Sequence, residues 1–174
     1  HFMGGYDSSY PDGQCFGLNS DGTKIVGGST GALFVWTEGQ GMNWFNTTYL
    51  NTGSYAKDIS DNDIIVGHID PGGFQYQGFI KRPEWNDILL IKDYFSDSLG
   101  ITEASEWLAS FANSISADGL TIAGMAYPPS DGPIAYVVKI DSPVPVELSS
   151  FAASYVNNKV ELNWITSSEL NNQG

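Results

Sequence analysis

Cysteine, histidine and basic residues are scarce in this sequence, and each shortage excludes a class of protein. The 174 residues contain one cysteine, Cys15, so neither an intrachain disulfide nor a cysteine-rich zinc site can form. Two histidines are too few for a multi-histidine metal centre. Lys and Arg number 7 against 20 Asp and Glu, and the net charge of −13 disfavours nucleic acid and anionic lipid as partners. No apolar run approaches the ~18 residues of a membrane helix, so we expect no membrane insertion.

The beginning of the chain also lacks a signal segment. It opens with His1-Phe2-Met3 and shows neither a basic stretch nor an apolar one near this end. We therefore expect a processed product or a fragment of a longer protein.

Glycine and aromatic residues are abundant instead. Glycine occurs 20 times, aromatic residues make up 13% of the chain, and 41% of the residues are hydrophobic. This composition is sufficient for a packed core and favours short strands joined by many turns over long helices.

Three segments of the chain, residues 18–27, 59–67 and 115–124, repeat one pattern. Each begins with an aliphatic and a small polar residue and continues with Asp-Gly or Asn-Asp, which suit a tight turn because they tolerate positive φ. A β-branched strand follows, and a glycine is predicted to close it. That glycine predicts a bulge or a close approach of two backbones.

An aromatic and aliphatic strand follows each repeat. Phe34, Phe79 and Tyr136 occupy equivalent places in it, and we predict that they lie in the core together with Trp36. The first two units add a fourth apolar stretch, at 42–45 and 88–91. Four short strands every roughly 40–50 residues are typical of a propeller blade or a comparable stacked unit. The sequence therefore predicts an all-β fold of repeated four-stranded antiparallel units, propeller-like or stacked.

Changes in composition divide the chain into two predicted domains. The repeat domain spans 1–140, with units at about 15–50, 55–92 and 111–140 and a short helical insert at about 93–110, where helices are expected over 93–99 and 105–111. Residues 141–146 are predicted to be a stiff, Pro-rich linker. Alternating polarity on both sides of Asn157-Asn158 predicts a C-terminal β-hairpin or partial sandwich over 147–174.

The repeats resemble the HAF-type repeat of bacterial extracellular proteins. The residues that carry the likeness are Ser20-Asp21-Gly22-Thr23-Lys24-Ile25-Val26-Gly27 with Phe34-Val35-Trp36, and the segment 112–119 of the third unit. The second unit departs from the pattern, since Lys81-Arg82 stand where Trp is expected. The resemblance implies a secreted or cell-surface protein and says almost nothing about activity.

The C-terminal segment resembles the fibronectin-III-like module found near the C-termini of secreted Bacteroidetes-type proteins. The likeness rests on residues 145–151, on Val160-Glu161-Leu162-Asn163-Trp164 and on residues 168–172. Only the opening strands of such a module are present.

Two features match catalytic patterns, and we interpret both as structural. Residues 27–31 satisfy the Gly-x-Ser-x-Gly pattern of hydrolases, but a nucleophile elbow requires a strand that leads into a helix, and Ser29 lies in a predicted loop between strands. His68 follows a predicted strand end, so we expect an exposed loop residue rather than a general base. The alternative of a hydrolase would depend on Ser29 and His68.

Acidic residues suggest neither a metal site nor a pair of catalytic carboxylates. Asp61-Asn62-Asp63 offers oxygen ligands for calcium, as do Asp7 and Asp12, but neither set fits an EF-hand loop. The chain contains two carboxylate pairs of the kind that glycosidases use, which are Glu103 with Glu106 and Glu84 with Asp87. In a chain with 20 acidic residues, such pairs are expected by chance. We therefore predict no catalytic residue, no metal and no cofactor.

Two aromatic residues interrupt the repeat pattern. Trp85 follows Pro83-Glu84, and Tyr127 precedes Pro128-Pro129, so both are predicted in loops. Aromatic rings in exposed loops stack on sugars or anchor protein interfaces. We predict Trp85 and Tyr127 as contact residues for a ligand or partner.

These observations predict a non-catalytic secreted or cell-surface module for binding, adhesion or surface assembly. One alternative is a carbohydrate-binding accessory domain of a larger polysaccharide-degrading enzyme, and another is a structural subunit of an extracellular filament or layer. Three units fall short of a closed propeller, and a lone hairpin is marginal in water. We therefore expect the missing contacts to come from other protein chains, from further sequence of the same protein, or from the hairpin adding to the repeat sheets.

Overall fold

The computed structural model describes residues 13–29, 31–45, 53–73, 75–140, 148–156 and 159–166. Packing divides the chain into two units, His1–Ile140 and Asp141–Gly174. The predicted linker 141–146 and the predicted turn at Asn157-Asn158 lie outside the described residues. Within the described ranges, no helix has the length and apolar character needed to cross a membrane.

The first unit consists of three antiparallel sheets in which each strand pairs with the next one along the chain. The first sheet contains β1 (Gln14–Leu18), β2 (Lys24–Ser29), β3 (Ala32–Thr37) and β4 (Gly41–Trp44). The second contains β5 (Tyr55–Ile59), β6 (Ile65–Ile69), β7 (Gln77–Lys81) and β8 (Leu89–Leu90). The third contains β9 (Ala109–Ile115), β10 (Thr121–Tyr127) and β11 (Ile134–Lys139). The predicted all-β fold of repeated antiparallel units is confirmed, and the third sheet has three strands among the described residues.

The second unit contains a two-stranded antiparallel hairpin. Its strands are β12 (Leu148–Val156) and β13 (Lys159–Thr166), which pair from Val156 opposite Lys159 outward. A register shift between Leu148 and Ser150 marks a bulge near the open end of the hairpin.

The helical insert is shorter than predicted and starts earlier. One helical turn, α1 (Ile91–Asp93), continues as a wider π-helical turn at Tyr94–Ser98, and a 3₁₀ helix covers Thr102–Glu106. The expected helix at 105–111 is wrong, because Ala109–Ile115 forms β9. Burial alternates along this strand, since Ser110 and Ala112 are buried whereas Phe111 between them is half-buried. Over so few residues, the sequence pattern of such a strand resembles that of a helix, which explains the error.

Each repeat loop is closed by a hydrogen bond that one of its backbone N–H groups donates to one of its own side chains. The acceptor is the polar residue after the aliphatic anchor. The three bonds run from the Lys24 N–H to Asn19 Oδ1 (2.8 Å), from the Ile64 N–H to Ser60 Oγ (3.0 Å), and from the Thr121 N–H to Ser116 Oγ (2.9 Å). The loops also contain one residue each with positive φ, which is Gly22, Asp63 or Gly119. The predicted turn chemistry is therefore confirmed, with Asp63 replacing glycine in the second unit.

The repeat glycine lies opposite the core aromatic residue in every sheet. The cross-strand pairs are Gly27 with Phe34, Gly67 with Phe79, and Gly124 with Tyr136. A Cβ atom on Gly67 would clash with the Tyr55 carbonyl oxygen and lie 2.8 Å from the Phe79 ring. The first strand of each sheet bulges near this glycine, so the predicted close approach is confirmed. The glycine does not close the strand, because β2, β6 and β10 all continue past it.

Two hydrophobic clusters lie between the sheets. One joins the first and second sheets through residues such as Val26, Leu33 and Ile59. The other joins the second sheet, the helical insert and the third sheet. Phe34, Phe79 and Tyr136 are buried as predicted, whereas Trp36 is half-buried.

We expect Gly67→Ala to lower the free energy of unfolding by about 2–3 kcal/mol, because the added methyl group meets backbone that cannot rotate away. Gly132→Ala is the matched control, since a Cβ atom there meets nothing within 4 Å. Urea unfolding followed by tryptophan fluorescence measures both changes. Equal stability of the two variants would contradict the structural role of the repeat glycine.

Candidate functional site

The acidic side chains considered as calcium ligands in the turn of the second repeat form contacts with the neighbouring repeat. The Asp61 carboxylate accepts hydrogen bonds from the Ser20 N–H (2.8 Å) and the Ser20 hydroxyl (2.7 Å). Asp63 forms an ion pair with Lys24. Among the described residues, no three His, Cys, Asp or Glu side chains lie close enough together to hold a metal ion. Asp7 and Asp12 lie outside these residues.

Ser29 and the predicted carboxylate pairs line neither of the two pockets described below. Ser29 is the last residue of β2 and is buried rather than in a loop, which corrects the expectation. The two carboxylate pairs, Glu103 with Glu106 and Glu84 with Asp87, lie at exposed positions. None of these residues lines the grooves described below.

His68 is buried, and the prediction of an exposed loop residue is wrong. It lies inside β6, with 9% of its surface exposed, because the strand continues past Gly67 to Ile69. Three rings meet the imidazole edge-on: Tyr55 with a centroid distance of 5.8 Å, Tyr76 with 5.7 Å and Phe111 with 4.9 Å. His68 is therefore the centre of an aromatic cluster that connects the second and third sheets.

The surroundings of His68 hold its imidazole in the neutral form. Burial lowers its pKa to about 4, the positive charge of Lys57 acts in the same direction, and Asp70 opposes them. Nδ1 is the one buried side-chain nitrogen or oxygen atom that has no hydrogen-bond partner among the described residues. A neutral, enclosed imidazole packs as an aromatic ring, and its lowered pKa makes it a weaker base than an exposed histidine.

An aromatic groove of about 700 Å³ opens beside this cluster. We use the name for the surface lined by Gln75, Tyr76, Leu108, Ala109, Phe111 and Tyr127. Phe111 contacts both Tyr76, at a centroid distance of 5.1 Å, and Tyr127, at 6.4 Å. The three rings are half-buried, and Leu108 is exposed. The groove therefore presents fixed aromatic surfaces on a support of β structure.

Local strand geometry places the groove residues. Phe111 and Tyr127 belong to β9 and β10, where Phe111 pairs with Met125 and Tyr127 with Ala109. Backbone hydrogen bonds hold the approaching loop, since the Ser110 N–H donates to the Tyr76 carbonyl (3.0 Å) and the Leu108 N–H to the Tyr127 carbonyl (2.9 Å). Tyr127 is thus the end of a strand rather than a loop residue, which corrects that part of the prediction.

Trp85, the other predicted contact residue, lies outside this groove. Its ring meets Tyr94 edge-on at 6.1 Å and packs against the second hydrophobic cluster, while the Arg82 guanidinium lies 5.7 Å from its centre. Its backbone carbonyl accepts a hydrogen bond from Lys81 Nζ (2.8 Å). The structure therefore does not bring Trp85 and Tyr127 together on one described surface.

A second cavity of about 330 Å³ lies between the first two sheets. Its walls include the Lys24–Asp63 ion pair, Trp44 and Lys81. The basic groups already bind partners, since Lys24 pairs with Asp63 and Lys81 donates to Trp85. The two lysines in its walls are therefore already engaged with other residues of the chain and are less available to a ligand.

Sequence reasoning identified Tyr127 and missed Tyr76, Leu108 and Phe111. The repeat did contain one signal for Phe111. This residue is equivalent to Tyr55, and each of the two lies two residues before the residue that bulges out of its strand. Tyr76 and Leu108 lie in segments outside the repeat, and the sequence contains no local pattern that links them. Comparison of the chain with protein-family models, curated proteins and solved structures found no match.

We expect His68 to make the protein less stable as the pH falls. The unfolded chain binds a proton at the ordinary pKa of 6.5, whereas the folded chain binds it only near pH 4. The contribution of His68 is therefore intact above about pH 6.5 and is lost progressively towards pH 4. Between about pH 7.5 and pH 5 the loss amounts to about 2 kcal/mol.

Urea unfolding of the wild type and of His68→Phe across this pH range measures the effect. The Phe variant keeps an aromatic ring among Tyr55, Tyr76 and Phe111 and has no proton to bind. Its stability should decline less steeply than that of the wild type below about pH 6.5. Parallel stability curves would show that the imidazole titrates normally.

Proposed function

We propose that this chain is a non-catalytic binding module of a secreted or cell-surface bacterial protein, and that its ligand binds in the aromatic groove. The groove itself carries the proposal. It is concave, it has a volume of about 700 Å³, and three half-buried rings line it together with one exposed leucine. Concave, largely apolar surfaces with a few polar groups are the usual form of small-ligand sites.

The chemistry of the lining supports binding rather than bond cleavage. The groove offers one amide, two phenols and otherwise apolar side chains, with no carboxylate, thiol or imidazole among its lining residues. The nearest imidazole, His68, packs behind Tyr76 and Phe111 and is held neutral by burial. A nucleophile paired with a general base is the usual requirement of hydrolytic sites, and this lining supplies neither.

The location outside the cell rests on composition and on resemblance. The charge of −13 favours a soluble, well-solvated surface. The likeness of the three loops to HAF-type repeats, and of the C-terminal segment to fibronectin-III-like modules, points to secreted bacterial proteins. The stacked sheets then serve as a frame that holds Tyr76, Phe111 and Tyr127 in place.

A carbohydrate is the ligand class that the groove fits best. Flat aromatic faces suit the C–H faces of sugar rings, while Gln75 and the phenols of Tyr76 and Tyr127 offer hydrogen bonds to hydroxyl groups. A neutral sugar also avoids repulsion from the acidic surface. This chemistry favours the second candidate role, an accessory carbohydrate-binding domain of a polysaccharide-degrading enzyme.

We expect neutral oligosaccharides to bind the intact chain on a glycan array, and Tyr127→Ala to weaken that binding at least about tenfold, or 1.4 kcal/mol. Phe16→Ala is the matched control, because Phe16 is an exposed aromatic residue that does not line the groove. Isothermal titration with the best array ligand then gives the two dissociation constants.

The results for these variants distinguish the aromatic groove from the other predicted contact residue, Trp85. Loss of binding in Trp85→Ala with normal binding in Tyr127→Ala would move the contact to the loop that carries Trp85. Equal weakening by Phe16→Ala and Tyr127→Ala would indicate general surface adsorption and contradict the groove. Binding of none of the glycans would overturn the carbohydrate proposal.

A further inference from the structure

The cavity between the first and second sheets combines apolar and polar walls. Its volume of about 330 Å³ falls within the range of small-ligand sites. Val35, Ile59 and Ile65 form its apolar part, and Ile59 and Ile65 are buried. The polar side chains of the lining are Lys24, Thr37, Asn43, Asp63, Lys81 and Asn86. We call this space the inter-sheet cavity.

The interface between the second and third sheets shows how the same positions pack when they are apolar. Val138 of the third sheet is equivalent to Lys81, because the two residues pair with the equivalent residues Ile122 and Ile65. Val138 packs against the hydrophobic cluster of its interface. A valine thus extends the core there, whereas Lys81 brings a charge to the first interface.

Two further positions change in the same way. Leu89 is equivalent to Asn43, since each pairs with the residue that follows the core aromatic residue of its sheet. Ile64 is equivalent to Lys24, since the N–H of each donates the hydrogen bond that closes the repeat loop. Ile64 is buried, and Leu89 packs against the same cluster. Three aliphatic positions of one interface are therefore polar in the other, where they surround a cavity.

Lys81 gives the inter-sheet cavity a positive charge without a counter-ion. Its Nζ donates to the Trp85 carbonyl (2.8 Å) and, over a longer distance, to the Arg82 carbonyl (3.4 Å). These acceptors are neutral, and an ammonium has three N–H donors, so one donor remains. Among the described residues, no carboxylate lies within ion-pair distance of Lys81. The two carbonyl groups therefore hold the ammonium in place and leave its charge uncompensated.

The remaining polar groups of the lining are either compensated or unused. The carboxylate of Asp63 pairs with Lys24, so these two charges offset each other. The side chains of Thr37, Asn43 and Asn86 form no hydrogen bond within the part of the chain that the structure describes. The lining thus has one positive charge in excess, together with a hydroxyl and two amides that can bind hydroxyl groups.

We propose that the inter-sheet cavity binds an acidic sugar, in which the carboxylate of a uronic acid pairs with Lys81. The sugar hydroxyls bind the amides of Asn43 and Asn86, and the C–H face of the ring packs on the apolar wall beside Trp44. A smaller inorganic anion would leave this apolar wall without a contact, and a neutral sugar would leave Lys81 without a counter-ion. The site shares no lining residue with the aromatic groove and does not depend on a ligand there.

The acidic surface sets the conditions for this binding. The net charge of −13 repels an anion at long range. At an ionic strength of about 0.15 M the Debye length is about 8 Å, so distant carboxylates are largely screened whereas the contact with Lys81 is kept. Near neutral pH and at this salt concentration, the local charge of the cavity therefore determines the preference.

NMR titration of the isotope-labelled full chain with galacturonate tests the proposal. We expect saturable shifts of the backbone signals of Lys81 and Asn43 and of the Trp44 indole signal. Galactose has the same ring with a hydroxymethyl group in place of the carboxylate, and acetate has the carboxylate without the ring. Each should bind at least about tenfold more weakly than galacturonate, because each lacks one of the two groups that the cavity recognises.

Two variants assign the binding to the inter-sheet cavity. Lys81→Met removes the charge and keeps an unbranched side chain, and it should raise the dissociation constant for galacturonate at least about tenfold. Asn43→Leu restores the aliphatic residue type of the second interface and should weaken binding by removing the amide. Asn43 is exposed, so this variant should fold. Lys92→Met is the matched control, because Lys92 is also half-buried and does not line the cavity.

Four results would overturn the proposal: no saturable binding of galacturonate, equal affinity for galactose or acetate, unchanged affinity in Asn43→Leu and Lys81→Met, or an equal loss in Lys92→Met. Tyr127→Ala should leave galacturonate binding unchanged, and a loss there would place the sugar in the aromatic groove instead. Circular dichroism confirms that each variant folds, and Asn43→Leu decides the test if Lys81→Met unfolds. Failure of neutral glycans to bind the aromatic groove has no bearing on this result.

Discussion

The absent side chain of the repeat glycine is the constraint on which the sheets depend. At Gly67 the bulged first strand and the Phe79 ring both occupy the space that a Cβ atom would take. The ring then packs close to Gly67 and is buried in the cluster shared with the preceding sheet. The close approach of glycine and ring recurs at Gly27 and Gly124, where Phe34 and Tyr136 are also buried. One small residue per unit thus sets how closely the sheets pack.

Polar contacts at the loops add direction to this packing. The residue after each aliphatic anchor is used inside its own loop, as Ser60 is by the Ile64 N–H. The next residue faces the neighbouring unit, as Asp61 does when it binds Ser20 and donates to Ala117. Burial of apolar surface is non-directional, whereas these hydrogen bonds specify which sheet follows which and in what register. Apolar packing therefore holds neighbouring sheets together, and the loop hydrogen bonds determine their order along the chain.

The sequence predicted the structural features that depend on residues close together in the chain. Turn residues, the glycine and the buried aromatic positions repeat at short range, so three copies identified the loops and the core. His68 was wrongly predicted because its burial depends on Tyr55, Tyr76 and Phe111, which come from three separate segments. The groove was missed, except for Tyr127, for the same reason. Tertiary proximity between segments without a repeat pattern leaves no signal in a single sequence.

The position after the repeat glycine explains why the groove lies beside the third sheet. It holds Gly28, His68 and Met125 in the three units. At Gly28 the backbone just before the next sheet comes so close that a Cβ atom would lie 2.8 Å from the Ser54 carbonyl oxygen, which leaves no room for a side chain at this position. At His68 the imidazole takes this place, and the half-buried rings of Tyr76 and Phe111 pack against it and line the groove. The groove therefore lies beside the sheet interface at which a large ring replaces the glycine of the first unit.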